Sequence, residues 1–353
     1  MAPIYILIDS SGIGGIERHV ATLTTGLIAR GYDARILLLR HYGQNPWFSQ
    51  LDDAGLPYQF LNGGVRRLVS TLRANNAALL HTHGYKAGIL GRIAAKLTGV
   101  PVVSTFHAGE TAAFPVSVYQ RLDEITSFLA TRISVSTPIA KHLPFSSTYV
   151  PNFISTKNVA PKTPLPKTIG FVGRLSPEKG PEIFCNVAAA QPLDASWEIF
   201  GDGPMRAELE RLHGGSVIFH GMVADMDRVW DTLGLLVISS HAEGLPMAAL
   251  EALAAGIPIA ASAVGALPEL IQHGQNGWLF DAGDTEALSR IVKDWAERRV
   301  VEGLNWRRNA WQTVHDNYGL QTGIDKTLAV YRDAGYSAGS DFSKTAISQS
   351  SFG

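Results

Sequence analysis

Short apolar segments alternate with amphipathic ones along most of this chain, and the alternation limits its fold more than any other feature. In the first half, the apolar segments predict strands over residues 4–8, 35–39, 58–61, 78–81, 101–106, 132–135 and 148–150. The amphipathic segments between them predict helices over residues 16–29, 65–74 and 85–97. Apolar strands separated by helices are typical of a parallel sheet that is covered on both faces.

A proline-containing stretch interrupts this pattern near the middle of the chain. Pro161, Pro164 and Pro166 do not suit a helix interior or a central strand, so we predict an interdomain linker here. The alternation then resumes, with strands predicted over residues 168–172, 196–200, 217–219, 235–239, 257–261 and 278–280 and closing helices near 302–315 and 319–334. We therefore predict two doubly wound, Rossmann-like α/β domains, residues 1–155 and 167–316, that face each other across a cleft.

Composition excludes several classes of protein. The formal net charge is -1, which gives no global attraction to nucleic acid or to an anionic membrane. The single cysteine, Cys185, excludes a disulfide framework, and its apolar helical surroundings predict a buried, unreactive thiol. We expect neither a signal peptide nor a membrane span, and we expect a cytoplasmic protein with a mobile tail over residues 337–353.

Two turns that follow predicted strands suit phosphate binding. Gly14 and Gly15 lie where a helix begins, and free N–H groups at a helix start attract anions, although a tight turn explains these glycines equally well. In the second half, Arg174 and Lys179 flank a turn between a strand and a helix. Because Arg can fork onto a diphosphate and Lys adds a point charge, we favour phosphate binding over a solvated turn.

The segment from Glu243 to Glu251 is the strongest candidate for a ligand site. Glu243 precedes a predicted helix, and Leu245, Pro246 and Met247 are expected in its first turn, where backbone N–H groups are free. Glu251 lies about two turns further along the same helix. Two carboxylates at different depths of one cleft could bind hydroxyls on two parts of a ligand, although this spacing also arises by chance.

Histidines end two of the predicted strands in the first half. His81 and His83 end one strand, and His107 ends the next. A His-x-His pair can hold a metal ion. No nearby carboxylate completes the ligand set, so we expect no bound metal here. Asp225 and Asp227 form an Asp-x-Asp pattern that also binds metal in some transferases. Their place before a short helix favours helix capping instead.

Taken together, these motifs resemble those of the retaining glycosyltransferases of family 4, which have the GT-B fold. The resemblance spans nearly the whole chain, and each motif is weak alone. The motifs that carry it are residues 14–19, 105–107, 150–152, 173–175 with 179–180, 201–204, 243–251, 268–270 and 276–277.

The resemblance implies a nucleotide-sugar donor site, with UDP, GDP or ADP as the nucleotide. Arg174 and Lys179 are expected to bind the diphosphate, and Glu243 the hydroxyls of the sugar. Glu251 is expected to bind the ribose, and His107 to lie beside the transferred sugar. The remaining donor-binding residues that the resemblance implies are Gly14, Gly15, Met222, Val223, Gly244, Leu245, Met247 and Ala248.

The resemblance also implies the reaction. Family 4 enzymes transfer a sugar with retained configuration and without a cofactor or metal, and the leaving phosphate takes the acceptor's proton. The expected acceptor is a glycan or a lipid-linked glycan in cell-envelope polysaccharide or lipopolysaccharide biosynthesis. Loops 41–47 and 108–115 are expected to shape the pocket that binds it. Residues 319–334 are expected to cross back onto the first domain. Phe153 departs from the family's frequent glycine, so we expect a different linker turn.

Other functions fit the same pattern. A nucleotide-sugar epimerase or a phosphorylase could use the same scaffold, and so could a non-catalytic nucleotide-sugar-binding partner. Contact with the inner face of the membrane is a separate hypothesis, because residues 65–73 can form a basic amphipathic helix. A solvated helix packed on the sheet explains that segment equally well.

Overall fold

The first half of the chain forms one sheet. The computed structural model describes residues 1–43, 45–107, 116–156, 161–223 and 225–337. The first strands are β1 (Ile4–Ile8), β2 (Ala34–Leu38), β3 (Tyr58–Phe60), β4 (Leu79–His83), β5 (Val102–Phe106), β6 (Thr131–Ser134) and β7 (Thr148–Tyr149). They pair in parallel as a seven-stranded sheet in the order β3-β2-β1-β4-β5-β6-β7.

The second half forms another parallel sheet. Its strands are β8 (Thr168–Val172), β9 (Ser196–Phe200), β10 (Ile218–Gly221), β11 (Leu233–Ile238), β12 (Ile259–Ser262) and β13 (Gly277–Phe280). They form a six-stranded sheet in the order β10-β9-β8-β11-β12-β13. Each strand predicted from the sequence is present, and the predicted ends differ by only one or two residues. The predicted fold class, two doubly wound α/β halves, is therefore confirmed.

Helices connect the strands and cover the sheets. They are α1 (Gly15–Ala29), α2 (Pro46–Asp53), α3 (Val65–Ala74), α4 (Tyr85–Thr98), α5 (Val116–Thr126), α6 (Thr137–His142), α7 (Pro181–Ala190), α8 (Arg206–His213), α9 (Met226–Thr232), α10 (Met247–Ala254), α11 (Leu267–Leu270), α12 (Thr285–Asn317) and α13 (Leu320–Asp333). None of the helices within these described ranges has both the length and the apolar character that crossing a bilayer requires.

The prediction for α12 was too short. The sequence predicted a helix near 302–315, but α12 has 33 residues and begins at Thr285. Asp284 caps its start by accepting a hydrogen bond from the amide of Ala287. Leu288, Val292 and Trp295 are buried on one face at helical spacing, which is the signal that we missed.

The last helix, α13, packs on the first half of the chain. Ile324, Leu328 and Tyr331 lie in the core of the first sheet, and α13 contacts α1. Phe153, the departure from the family pattern, is buried against this helix, and a Cβ at Gly323 would lie 2.0 Å from the Cγ atom of Phe153. The aromatic ring therefore lies directly on the backbone of α13.

Two smaller predictions are confirmed. Cys185 is buried in α7, and burial raises the pKa of its thiol to about 12, so it is no nucleophile at neutral pH. Asp225 is the N-cap of α9, where its carboxylate accepts a hydrogen bond from the Arg228 amide at 3.4 Å. The predicted tail falls mostly on residues 338–353, and the predicted acceptor loop on residues 108–115, which lie outside the described residues.

Candidate functional site

The topology points to a cleft between the two sheets. In the first sheet the strand order reverses between β1 and β4, and in the second sheet between β8 and β11. Ligands of open α/β sheets bind at such points, beyond the carboxyl ends of the strands. Turns after β8 and β11 carry the predicted residues Lys179 and Glu243, and β5 leads directly into His107.

A cavity of about 840 Å³ lies at these strand ends, and both halves of the chain line it. Asp9 and His107 come from the first half, and Glu243 and Gly265 come from the second. A smaller cavity of about 230 Å³ shares Asp9 with it. The remaining predicted donor-binding residues lie outside the lining of the larger cavity, which therefore covers only the His107–Glu243 part of the predicted site.

A cluster of polar side chains fixes the Glu243 carboxylate in the cavity wall. Lys179 Nζ lies 2.8 Å from both Oε1 and Oε2 of Glu243. Ser240, which follows β11, donates from Oγ to Oε1 at 2.7 Å. Glu243 is only 8% exposed, so its charge depends on these partners. The structure thus brings together two residues that the sequence analysis assigned to phosphate and to sugar.

The second carboxylate, Glu251, has its partner on the opposite domain. Glu251 lies in α10 of the second half, and its Oε2 accepts a hydrogen bond from Nη1 of Arg18 in α1. Burial raises the pKa of Glu251, and the charge of Arg18 opposes that rise. This ion pair joins the two halves of the chain directly, and the sequence analysis did not assign Arg18 a role.

The start of α10 contacts the first domain at several points. Gly244 lies so close to the His107 carbonyl that a Cβ there would be 2.3 Å from the oxygen. Asn152 donates from Nδ2 to the carbonyl of Leu245 at 2.7 Å, and Gly15 lies against Met247. The cleft is closed around this helix start.

The helix start differs from the prediction. The sequence predicts residues 245–247 in the first turn, but α10 begins at Met247. Pro246 is the N-cap and keeps an extended backbone, with φ -65° and ψ 130°. The amides of Met247 and Ala248 are therefore the first of the helix, where no preceding turn supplies an intrahelical acceptor.

The other predicted donor-binding residues lie at the edge of the cleft. Arg174 is exposed in the turn after β8, and this turn is bonded to the next one through Leu175 N and Asp202 O at 3.0 Å. Met222 is 64% exposed after β10, whereas Val223 packs partly on the core beneath α10. Gly14 is exposed as the N-cap of α1. No described contact of these side chains assigns them a ligand.

Three histidines meet at the floor of the cleft. His19 from α1 lies beside His83 and His107, with ring centroids 5.5 Å and 5.0 Å away. His83 Nδ1 and His107 Nε2 are 2.9 Å apart, so one of these nitrogens donates to the other. Burial lowers the pKa of His19 to about 4 and lowers the pKa values of His83 and His107 well below the usual range. These imidazoles are uncharged at neutral pH.

His81 differs from these three. Its Nδ1 hydrogen-bonds with the Tyr331 hydroxyl at 2.8 Å and its Nε2 with Thr105 Oγ1 at 2.7 Å. Both ring nitrogens of His81 therefore hydrogen-bond to neighbouring side chains in the protein interior. The His-x-His pattern of the sequence thus separates into His81, which bonds within the core, and His83, which contacts the cavity-lining His107. His19 was missed, because it lies inside α1 and is buried by tertiary contacts.

Comparison with known proteins identifies the family. Residues 13–154 match the family described as Glycosyltransferase Family 4, and residues 166–298 match the family described as Glycosyl transferases group 1. In chain order, these two matches cover every strand of the two sheets except β1. The chain belongs to glycosyltransferase family 4.

Relatives of this family 4 glycosyltransferase include two curated bacterial enzymes. UDP-Gal:alpha-D-GlcNAc-diphosphoundecaprenol alpha-1,3-galactosyltransferase of Escherichia coli is 26% identical over 75% of this chain and 78% of its own length. The 2-deoxystreptamine N-acetyl-D-glucosaminyltransferase of Streptomyces fradiae is 26% identical over 92% of both chains. The crystal structure of Anabaena HepE in complex with UDP-glucose superposes with a TM-score of 0.81 at 20% identity, covering 94% of this chain and 99% of the other. The fold is therefore GT-B.

Proposed function

We propose that this family 4 glycosyltransferase transfers a hexose from a nucleotide sugar to a glycan or lipid-linked acceptor with retained configuration. The observation that carries the proposal is the position of Glu243, which lines the cavity with His107 and is held by Lys179. A carboxylate fixed in this way is preorganised to accept hydrogen bonds from sugar hydroxyls. The UDP-glucose in the related HepE structure supports a nucleotide-sugar donor for this chain.

The donor diphosphate would lie between the Lys179 turn and the start of α10. Arg174 and Lys179 supply positive charge, and the amides of Met247 and Ala248 supply hydrogen-bond donors at a helix N-terminus. Gly14 and Gly15 lie opposite on α1, and Gly15 already lies against Met247. Positive charge from the chain itself would offset the charge on the departing nucleotide, so we propose that transfer needs no metal and no cofactor.

The nucleoside would extend along α10 towards the edge of the cleft. Glu251 would accept the ribose hydroxyls and exchange its Arg18 partner for them. The backbone at Met222 and Val223 would border the base, and Gly244 and Leu245 would lie along the sugar phosphate. This arrangement places sugar, diphosphate and nucleoside in one line across residues that lie close together in the structure.

His107 would hydrogen-bond the transferred sugar rather than move a proton. Its pKa is lowered well below the usual range by burial, so the ring is neutral and is no acid at pH 7. The acceptor's proton would pass to the leaving phosphate on the same face of the sugar, which gives retention. Catalysis would then come from positioning and electrostatics.

The acceptor would enter from the first-domain side of the cavity. Tyr42 donates to Asp9 at 2.9 Å, and Lys86 Nζ lies 2.9 Å from the same carboxylate. Asp9 and Lys86 line both cavities, so these groups can bind acceptor hydroxyls or phosphates. The α-1,3-galactosyltransferase relative is named for a diphosphoundecaprenol acceptor, which supports a lipid-linked acceptor in cell-envelope polysaccharide or lipopolysaccharide assembly at the cytoplasmic side of the membrane.

Peripheral membrane contact would use α4 and α5 rather than α3 alone. Leu68 and Leu72 of α3 are buried, so the apolar face of this helix belongs to the core. Helix α4 packs between α3 and α5, and the exposed apolar side chains on α4, on α5 and just after α5 include Leu97, Leu122, Ile125 and Phe128. Sedimentation with anionic vesicles tests this: replacing Leu122, Ile125 and Phe128 by Ser should abolish binding, and unchanged binding would refute the contact.

Turnover of matched variants tests the transfer function. A thermal-shift screen with UDP-, GDP- and ADP-sugars identifies the donor, because a bound ligand raises the melting temperature. With that donor, Lys179→Ala and Glu243→Gln should each lose at least about 100-fold in kcat, since each removes a charge-assisted contact. The matched control is Lys167→Ala, whose exposed side chain pairs with Asp194 outside the cleft and should leave kcat unchanged.

Product analysis completes the test. The anomeric proton coupling of the product should show the same configuration as the donor, and a chelator should leave the rate unchanged. Full activity in both variants would reject the site. An inverted product would reject retention while leaving transfer intact.

A further inference from the structure

The three cleft histidines come from three separate elements of the first domain. His19 comes from α1, His83 ends β4 and His107 follows β5. Each offers one ring nitrogen to a group in which all three atoms lie within 4.8 Å of one another. Three imidazole nitrogens at this separation could hold a metal ion, although the residues are distant in sequence.

We propose that His19, His83 and His107 form a binding site for a divalent transition-metal ion such as Zn²⁺, Ni²⁺ or Co²⁺. Imidazole nitrogen is a preferred ligand of these ions, and a tetrahedral zinc with bonds of ~2.0–2.1 Å holds its nitrogens roughly 3.3 Å apart. The 2.9 Å between His83 and His107 and the 4.8 Å limit for the whole set lie on either side of that spacing. The His19 ring would have to rotate to bring its nitrogen to that spacing.

The hydrogen bonding of the histidines favours an ion at this point. His19 Nδ1 is buried and has no hydrogen-bond partner among the described residues. A buried polar atom without a partner is costly, and coordination through His19 Nδ1 would supply that partner. His81 is excluded from the ligand set because Tyr331 and Thr105 occupy both of its ring nitrogens.

The coordination sphere would be open towards the cavity. His107 lines the 840 Å³ cavity, so a fourth ligand such as hydroxide or chloride can reach the ion from that side. A hard ion such as Mg²⁺ prefers oxygen ligands and would not bind here. Because no carboxylate contributes to it, the site favours ions that bind nitrogen ligands over ions that require oxygen ligands.

Occupation of this site would inhibit sugar transfer. This consequence rests on the proposed function, in which His107 binds the transferred sugar. An ion on His107 would fix the ring and place a fourth ligand in the space that the transferred sugar needs. Micromolar Zn²⁺ or Ni²⁺ should lower kcat/KM, a chelator should restore it, and Mg²⁺ should have no effect.

Cobalt binding to the full chain tests the site without any sugar donor. Titration with CoCl₂ should give one bound ion per chain with the intense visible absorption of Co²⁺ in a low-coordinate site. His19→Ala and His83→Gln should each weaken binding by about 100-fold or more, because loss of a ligand exceeds the 10–100-fold effect of losing a supporting contact. Melting temperatures show whether each variant is folded.

Two histidine variants serve as controls. His81→Gln removes a buried neighbour outside the ligand set, and His315→Gln removes a histidine in the last turn of α12. Both should bind Co²⁺ like the unmodified chain. Absence of stoichiometric Co²⁺ binding, or equal binding in folded His19→Ala, would overturn the proposal.

The cobalt experiment also separates this proposal from the transfer function. Metal binding with no transfer to any acceptor would leave the site standing and reject the function. Transfer without metal binding would do the reverse.

Discussion

At the scale of residues, the two carboxylates of the cleft differ in where their partners come from. Glu243 is held by Lys179 and Ser240 of its own domain, so its position does not depend on closure of the cleft. Glu251 is held by Arg18 of the other domain. In the proposed function, donor binding at Glu251 would therefore compete with a contact between the domains, whereas binding at Glu243 would add to a site that is already assembled.

This difference predicts the effect of removing Arg18. Arg18→Met should bind UDP or the matching nucleotide about 3–10-fold more tightly, because the ribose no longer displaces a cation from Glu251. That change corresponds to roughly 1 kcal/mol, the scale of a partly exposed ion pair. Isothermal titration calorimetry measures it. The control is Arg30→Met, at the other end of α1, whose exposed pair with Asp325 lies away from the cleft.

Weaker binding by Arg18→Met would contradict this prediction. It would mean that Arg18 contacts the nucleotide itself, and a second variant, Glu251→Gln, separates the cases. If Arg18 only competes, Arg18→Met should give no tighter binding once Glu251 is replaced.

The sequence indicates Glu251 but not its partner, for a physical reason. Arg18 and Glu251 are 233 residues apart, and only the approach of α1 to α10 brings them together. His19 was missed for the same reason, since nothing local distinguishes a cleft histidine from a core histidine in a helix. Residues at strand ends, such as His107 and Glu243, could be found because parallel topology places strand ends at one edge.

At the scale of elements, local patterns predicted the strands better than the helices. A buried parallel strand is a short apolar run between turns, and β1, β8 and β9 were predicted with the ends that the structure has. Helix α12 was predicted too short because its polar face dilutes the apolar pattern. The predicted start of α10 was too early because Pro246 is the N-cap, with an extended backbone, and Asn152 of the first domain bonds to the carbonyl of Leu245 just before it.

The packing of Phe153 on α13 predicts an unusual response to alanine. Gly323→Ala should destabilise the protein by about 1–3 kcal/mol, because its Cβ would overlap the Phe153 ring, 2.0 Å from Cγ. The matched control is Gly303→Ala in α12, where the nearest atom is Leu165 Cδ1 at 3.2 Å, at the flexible end of its side chain. That variant should be neutral or gain up to about 1 kcal/mol from helix propensity.

Urea unfolding monitored by circular dichroism measures both free energies of unfolding. Equal effects of the two substitutions would show that Phe153 can move aside at no cost. The packing of Phe153 on α13 would then not explain why this chain has phenylalanine at position 153, where the family often has glycine.

At the scale of the whole molecule, the chain crosses between the domains twice. It leaves the first domain after Phe153 and returns through Tyr318, whose carbonyl accepts a hydrogen bond from the Ile154 amide at 3.0 Å. The two crossings therefore lie side by side. Because α13 belongs to the core of the first sheet, that core is completed only by the end of the chain. A movement of the domains must bend both crossings together.

This connectivity predicts the result of removing α13. A chain ending at Asn317 loses Ile324, Leu328 and Tyr331 from the core of the first sheet. Truncating one such side chain costs about 2–5 kcal/mol, so losing three approaches the whole stability of ~5–15 kcal/mol. The first domain should unfold while the second remains folded, since the core of the second domain contains no residue of α13.

Hydrogen exchange should show lost protection in β1 and β4 and retained protection in β8 and β11. A chain ending at residue 337 is the control and should keep protection in both sheets. Retained protection of β1 in the shorter chain would show that the first sheet folds without its last helix.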